Sequence, residues 1–152
     1  MKEFKPPQQI DSNGLKSIFL AGTIDMGDSE DWQAVVSREF LNLDVNIFNP
    51  RRAEWDSSWE QSFENPQFYQ QVNWELSALE RADIIILYLA GASKSPISLL
   101  EMGLHAKEGK LVVYCPDEFY RSGNVQIVCD RYKIPLYKDL DEVIERVKNE
   151  IK

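Results

Sequence analysis

The chain has 152 residues, 43% of them hydrophobic, which suits a single domain over residues 1–152 with a core of its own. Its 25 acidic residues outnumber its 17 lysines and arginines, and the formal net charge is -8. Proteins that bind nucleic-acid polymers rely on clustered cations, so this balance excludes that class and favours a small-molecule ligand.

The cysteines and the first residues of the chain bear on its compartment. Cys115 and Cys129 lie in or beside apolar segments without the spacing of a metal site, so we expect buried free thiols and no structural zinc. No apolar run approaches the roughly 20 residues that span a bilayer, and the start Met1–Pro7 lacks the apolar core of a signal peptide. These features predict a cytoplasmic protein without a membrane partner.

Strand-like and helix-like segments alternate from the start of the chain. Residues 1–14 contain adjacent prolines and predict an extended N-terminal arm, and residues 17–21 predict a first strand that ends at Gly22 and Thr23. Acids at 28–31 mark a helix start, and apolar residues at helical spacing continue it to Phe40. Residues 45–48 then predict a second strand.

The second part of the chain continues this alternation. Residues 51–65 show no clear period and predict a long loop, and four apolar residues then mark one face of a helix: Phe68, Val72, Leu76 and Leu79. Residues 82–89 contain an uninterrupted apolar run, typical of a central parallel strand that is covered on both faces. The remaining predicted elements are a helix that begins at Ser95 and Pro96, a strand over 110–115, a helix over 124–132, a strand over 134–137 and a helix over 140–151.

This order of elements predicts the fold class. Each strand-to-strand connection contains a helix, so we expect a flavodoxin-like three-layer α/β sandwich with a five-stranded parallel sheet in the order 2-1-3-4-5. In that order the exits of the first and third strands lie beside the topological switch point, where ligands bind in open α/β sheets. Gly22 and Glu101 should therefore face one crevice.

Glu101 is the first candidate for a catalytic residue. Ser95 is expected to cap the helix after the central strand, with Pro96 at its first position. The helical spacing of Ile97, Glu101 and Leu104 puts them on one side, which we expect to be buried. A carboxylate there can attack an electrophilic sugar carbon. The alternative is an acid at the edge of the apolar face that pairs with a cation.

Other ionisable residues have both a functional and a structural interpretation. Glu75 is a second acid for the same pocket, or part of a solvated helix face. His105 lies one turn after Glu101, and it can either shuttle protons or have a purely structural role. Asp25 can bind a ligand hydroxyl or form a turn. Arg51 follows the second strand and can bind a phosphate, or lie on the surface.

Aromatic residues supply a further set of candidates. Four of them can stack on a base or fill the core beneath the loop: Trp55, Trp59, Trp74 and Tyr88. Gly22 allows close approach of a ligand to the backbone, but the chain lacks a full dinucleotide or P-loop fingerprint. We therefore expect no cofactor and no metal.

Several short segments carry a more specific signal: Phe19–Ile24, Trp32–Gln33, Asn49–Arg52, Gln71–Glu75, Ser95–Gly103 and Gly123–Val125. Together they resemble the nucleoside 2-deoxyribosyltransferase superfamily, especially its deoxyribosyltransferase-like branch. The resemblance covers roughly residues 16 to 132.

This resemblance implies a flavodoxin-like fold and 2-deoxyribose transfer between nucleobases without metal or cofactor. Glu101 looks like the family's glutamate nucleophile, which forms a covalent glycosyl-enzyme intermediate. Where well-known transferases have an aspartate six residues earlier, this chain has Ser95, which makes Glu75 the candidate for base contact or proton transfer. Related members hydrolyse the N-glycosidic bond of nucleoside monophosphates, and a nucleotide-sensing module without turnover is a further alternative.

The resemblance also implies the other side chains of the site and the assembly. The candidate substrate-binding residues are Gly22, Thr23, Asp25, Asn49, Arg51, Ser95, Ser98 and Asn124. The family commonly completes its pocket with an asparagine from a neighbouring subunit, and Asn124 resembles that position. We therefore expect a homo-oligomer whose ligand is a small nucleoside or nucleotide.

Overall fold

The computed structural model describes residues 1–24, 31–52, 56 and 58–152. The expectations for Asp25, for the helix-start acids at 28–30 and for Trp55 lie outside the described residues. In chain order the described elements are β1 (Lys2–Phe4), β2 (Ser17–Gly22), α1 (Trp32–Glu39), β3 (Asn46–Phe48), α2 (Pro66–Arg81), β4 (Ile84–Tyr88), α3 (Pro96–His105), β5 (Leu111–Tyr114), α4 (Ser122–Tyr132), β6 (Leu136–Tyr137) and α5 (Leu140–Ile151).

The strands form one parallel sheet in the order β1-β3-β2-β4-β5-β6. The predicted three-layer sandwich and the predicted order of its five strands are confirmed. The sheet has a sixth strand, however, because residues 1–14 are not wholly an extended arm. β1 pairs with β3, and Phe4 is buried with only 1% of its surface exposed. The adjacent prolines that follow this short strand led to the prediction of an extended arm instead.

Two hydrophobic layers lie on opposite faces of the sheet. Ile85 and Leu87 of β4 pack with the buried side chains of α2, α3 and α4. Ile84 and Ile86 point to the opposite face and pack with α1 and α5. The apolar run of β4 is therefore explained by burial on both faces. Cys115 and Cys129 are buried free thiols, as predicted, and burial raises their pKa to about 11 and about 12.

Gly22 ends β2 opposite Tyr88, the last residue of β4. Its φ is +146°, in a region that L side chains rarely adopt. A Cβ atom built on Gly22 would lie 2.3 Å from the carbonyl oxygen of Tyr88 and 2.8 Å from its nitrogen. These are backbone atoms of a central strand, which cannot move aside as a flexible side chain does. A glycine is therefore required at the carboxyl edge of the sheet.

We predict that Gly22→Ala destabilises the fold by about 3 kcal/mol or more, because it combines an unfavourable φ with a backbone clash. Chemical denaturation monitored by circular dichroism measures this change. Gly103→Ala is the matched control, because a Cβ there meets no atom within 4 Å and the residue lies inside α3. That control should raise stability by up to about 1 kcal/mol. Equal effects of the two substitutions would contradict the role given to Gly22.

Candidate active site

Helix α2 presents Glu75 on the side that faces the sheet. The helix begins after Asn65, whose side-chain oxygen accepts a hydrogen bond from the backbone of Phe68 at 3.0 Å. Its buried residues are Gln71, Ala78 and Leu79. The predicted stripe is therefore rotated, because Leu76 is 36% exposed and the polar Gln71 is buried in its place. Glu75 lies one turn after Gln71 and is half-buried.

Helix α3 presents a different face to the sheet from the one predicted. Its buried residues are Ser98, Met102 and His105. Ile97 and Leu104 are 60% and 54% exposed, so the expectation that they share a buried side with Glu101 is wrong. The spacing of Ser98, Met102 and His105 defines the inner stripe, and Met102 packs into the core there. Glu101 is half-buried at the boundary of this stripe.

A cluster of hydroxyl groups joins the end of β2 to the loop before α3. The hydroxyl of Thr23 lies 2.6 Å from that of Ser95 and 3.0 Å from that of Ser93, and it accepts a hydrogen bond from the backbone of Ala90 at 3.0 Å. Ser95 has φ +45° and makes no side-chain cap on the helix, contrary to the predicted N-cap. Its hydroxyl contacts Thr23 and Ser93 instead.

The two glutamates interact electrostatically across α2 and α3. Burial raises the pKa of Glu75 to about 7, and a hydrogen bond from Gln71 opposes this shift. Burial raises the pKa of Glu101 to about 8, and repulsion from Glu75 adds to the shift. Both groups therefore keep a proton to higher pH than an exposed glutamate does. A carboxylate beside a carboxylic acid combines a nucleophile or base with a proton donor.

His105 has a structural environment. It is buried, and its Nδ1 lies 2.8 Å from a carboxylate oxygen of Glu108. Lys110 lies 3.2 Å from the same oxygen of Glu108. The imidazole is thus held at the end of α3 by an acid that is itself paired with a cation.

The arginines after β3 contact protein groups. Nε of Arg51 lies 3.2 Å from a carboxylate oxygen of Asp31 and donates to Gln33 at 3.2 Å. Arg52 donates to Gln70 at 3.2 Å, and its guanidinium lies 5.0 Å from the ring centre of Trp59. These contacts link the loop after β3 to α1 and α2.

The remaining candidates occupy different environments. Asn49 is buried, donates to Glu3 at 2.9 Å and accepts from the backbone of Arg51 at 3.0 Å. Ser98 is buried one turn before Glu101, whereas Asn124 is exposed on the first turn of α4. The described fold thus brings Glu75 and Glu101 together and joins Thr23 to Ser95. Asn49 contacts β1 and the loop after β3.

Gln71 is a site residue that was missed from the sequence. Its Nε2 donates to the carbonyl of Pro50 at 3.0 Å and to Oε1 of Glu75 at 2.9 Å. A glutamine on a helix ordinarily indicates a solvated position. Its spacing of four residues before Glu75 was the available signal, because such pairs can hydrogen-bond along a helix.

The aromatic candidates Tyr88 and Trp74 contact other protein groups. Tyr88 stacks between Trp32 and Tyr114, with ring centres 4.8 and 4.5 Å apart. Trp74 donates to the carbonyl of Gln8 at 2.9 Å and lines a cavity of about 470 Å³ between the N-terminal arm and α2. A second cavity of about 580 Å³ adjoins Tyr114 at the ends of β5 and β6. Neither of these two cavities is lined by the glutamate pair.

Two further observations concern only the described part of the chain. It contains no group of three or more His, Cys, Asp or Glu side chains arranged to hold a metal ion. It also contains no helix with the length and apolar character of a membrane span.

Comparison with known proteins identifies the family of the chain. No curated protein matches the chain. A solved structure described as a conserved protein from Enterococcus faecalis V583 aligns with a TM-score of 0.64 and 14% sequence identity, covering 90% of this chain and 99% of that one. At this identity the likeness shows the fold alone. The family model for nucleoside 2-deoxyribosyltransferase-like proteins matches residues 15–119. The chain therefore belongs to the nucleoside 2-deoxyribosyltransferase-like family.

Proposed function

We propose that this protein transfers 2-deoxyribose between nucleobases, with Glu101 as nucleophile and Glu75 as proton donor. The observation that carries the proposal is the pair of half-buried carboxyl groups on α2 and α3, whose pKa values burial raises to about 7 and about 8. The family match covers both helices up to residue 119. A 2-deoxynucleoside is thus the substrate class that best fits this pair of carboxyl groups.

The proposed reaction has two balanced steps. A carboxylate oxygen of Glu101 bonds to the anomeric carbon while the N-glycosidic bond breaks, and the departing base takes its electron pair and the proton of Glu75. An acceptor base then attacks the same carbon, expels the Glu101 carboxylate and returns a proton to Glu75. Positive charge developing on the sugar favours the ionised form of Glu101, while Glu75 carries the proton that the departing base takes.

The charge distribution around the site supports a nucleoside over a nucleotide. Arg51 is paired with Asp31, and Arg52 contacts Gln70 and Trp59. A phosphate would have to compete with these contacts and approach two acidic side chains.

Two alternative functions are hydrolysis of a deoxynucleoside monophosphate and nucleotide binding without turnover. Each would give a different outcome in the assay for base exchange.

We predict that Glu101→Gln lowers base exchange by at least about 10³-fold, because the amide cannot form the glycosyl ester. Glu75→Gln should lower it by about 10²- to 10⁴-fold through loss of proton transfer. Chromatography of a deoxynucleoside incubated with a second base measures exchange, and intact mass detects a trapped deoxyribosyl adduct in the unmodified protein.

Glu80→Gln is the matched control for both variants, because Glu80 lies on α2 and is exposed. It should leave exchange unchanged. Full activity in Glu101→Gln would refute the proposed nucleophile. Base release from monophosphates alone would establish the hydrolase alternative, and saturable binding without any product would establish the sensing alternative.

The buried pair also predicts a pH-dependent stability. Because the folded-state pKa of Glu101 is raised, its protonation stabilises the fold fully below about pH 4.5, and this contribution disappears as the pH rises through about 8. Glu101→Gln stays neutral throughout. We predict that this variant raises the melting temperature by roughly 5 °C at pH 9 and by little at pH 5. Differential scanning fluorimetry measures the difference, which Glu80→Gln should lack. An equal shift at both pH values would contradict the raised pKa.

We also propose that the protein forms a homo-oligomer through the outer face of α3. Ile97, Leu100 and Leu104 are 60%, 59% and 54% exposed on this helix. Adjacent exposed apolar side chains of this size are typical of a protein interface. Because Glu101 lies on the same helix between Leu100 and Leu104, a second copy covering this face would also close the site from one side.

We predict that Leu100→Lys shifts the assembly towards the monomer, because a lysine in an apolar interface loses its hydration. Size-exclusion chromatography with light scattering measures the mass. Leu41→Lys is the control, because Leu41 is similarly exposed at 56% but follows α1 on the opposite face of the sheet. A monomeric unmodified protein would contradict this proposal.

A further inference from the structure

Gln71 connects the loop after β3 to the acid on α2. Its side chain is 5% exposed, and its Nε2 lies 3.0 Å from the carbonyl oxygen of Pro50 and 2.9 Å from Oε1 of Glu75. Both contacts use the two N–H bonds of one amide nitrogen. Gln71 is therefore a bridge between a backbone group and a side chain of the site.

The backbone carbonyl determines which way this amide points. A carbonyl oxygen can only accept a hydrogen bond, so the atom of Gln71 that faces Pro50 must be the nitrogen. Rotating the amide would bring its oxygen against the Pro50 carbonyl and against Glu75. Oε1 of Gln71 is buried without a hydrogen-bond partner in the described part of the chain, so it offers no competing restraint. The orientation is thus set by Nε2 alone.

This orientation decides which oxygen of Glu75 can carry a proton. Oε1 accepts an N–H from Gln71, and in a neutral carboxyl group the carbonyl oxygen accepts a hydrogen bond better than the hydroxyl oxygen does. The neutral form of Glu75 therefore places its proton on Oε2. We propose that Gln71 is a positioning residue, whose amide, held by the Pro50 carbonyl, directs the acidic proton of Glu75 to Oε2 for delivery to the leaving base. This inference rests on the proposed function for the delivery step.

The charged groups around Glu75 are few in the described residues. On the neighbouring helix the interacting charge is Glu101. On the loop after β3, Arg51 is paired with Asp31 and Arg52 contacts Gln70. The bond from Gln71 lowers the pKa of Glu75 against the effect of burial, which makes Glu75 a stronger acid.

The test substitutes Gln71→Met, which keeps the length of the side chain and removes its N–H groups. Removal of the hydrogen bond raises the pKa of Glu75, and we expect a rise of about one unit, a tenfold change in proton affinity. Carbon-13 NMR titration of the glutamate carboxyl carbons measures it, with Glu75→Gln used to assign the resonance. Gln67→Met is the matched control, because Gln67 is exposed one turn earlier on α2.

The kinetic arm measures base exchange across the same pH range. In Gln71→Met, kcat should fall about tenfold, KM should stay unchanged, and the alkaline limb should move to higher pH with the pKa of Glu75. A loss of packing alone would not move that limb. Gln71→Leu supplies a second variant if the methionine variant fails to fold, because a leucine side chain likewise has no N–H to donate.

The two arms separate the two proposals. An unchanged pKa of Glu75 in Gln71→Met and in Gln71→Leu would overturn the role of Gln71, whatever the activity. A raised pKa together with unchanged kcat and an unmoved alkaline limb would overturn delivery from Oε2. Absence of any base exchange in the unmodified protein would overturn the proposed function, while the titration would still decide the hydrogen-bonded bridge.

Discussion

The pairing of β2 with β4 at the centre of the sheet is the constraint on which the site depends. Five residues of each strand are in register, and the last pair joins Gly22 to Tyr88. The missing Cβ of Gly22 allows this contact, and the next residue, Thr23, then reaches Ser93 and Ser95 in the loop before α3. The start of α3, and with it the position of Glu101, is thus tied to the end of β2. An α/β sheet positions its chemistry by such strand ends.

The electrostatics of the site follow from packing α2 and α3 on the same face of that sheet. Removing a carboxylate from water disfavours its charge, and placing a second carboxylate nearby disfavours it further. Burial acts on both Glu75 and Glu101, and Glu101 also experiences repulsion from Glu75. Gln71 offsets part of the burial cost at Glu75, because it donates an N–H to the ionised acid. No comparable hydrogen bond acts on Glu101 among the described residues, which agrees with its higher pKa.

Elements could be predicted correctly where the hydrophobic pattern follows from the local sequence or from burial on both faces. The bounds of α5 agree with the prediction at residues 140–151, and the apolar run of β4 indicated its central place. The faces of α2 and α3 were harder, because hydrophobicity alone does not say which stripe meets the sheet. Gln71 is buried by a hydrogen bond to a distant carbonyl, and Ile97 and Leu104 are exposed although apolar. Tertiary contacts of this kind have no short-range signature.

Burial raises the pKa of Glu101 because it removes water from the carboxylate. In the proposed reaction, a sugar bound over Glu101 removes still more water and makes the bare anion less stable. An oxocarbenium-like charge on the sugar supplies the missing counter-charge only as the glycosidic bond breaks. On the proposed mechanism, the instability of ionised Glu101 in the free protein is therefore relieved in the transition state, which is the condition for it to lower the barrier.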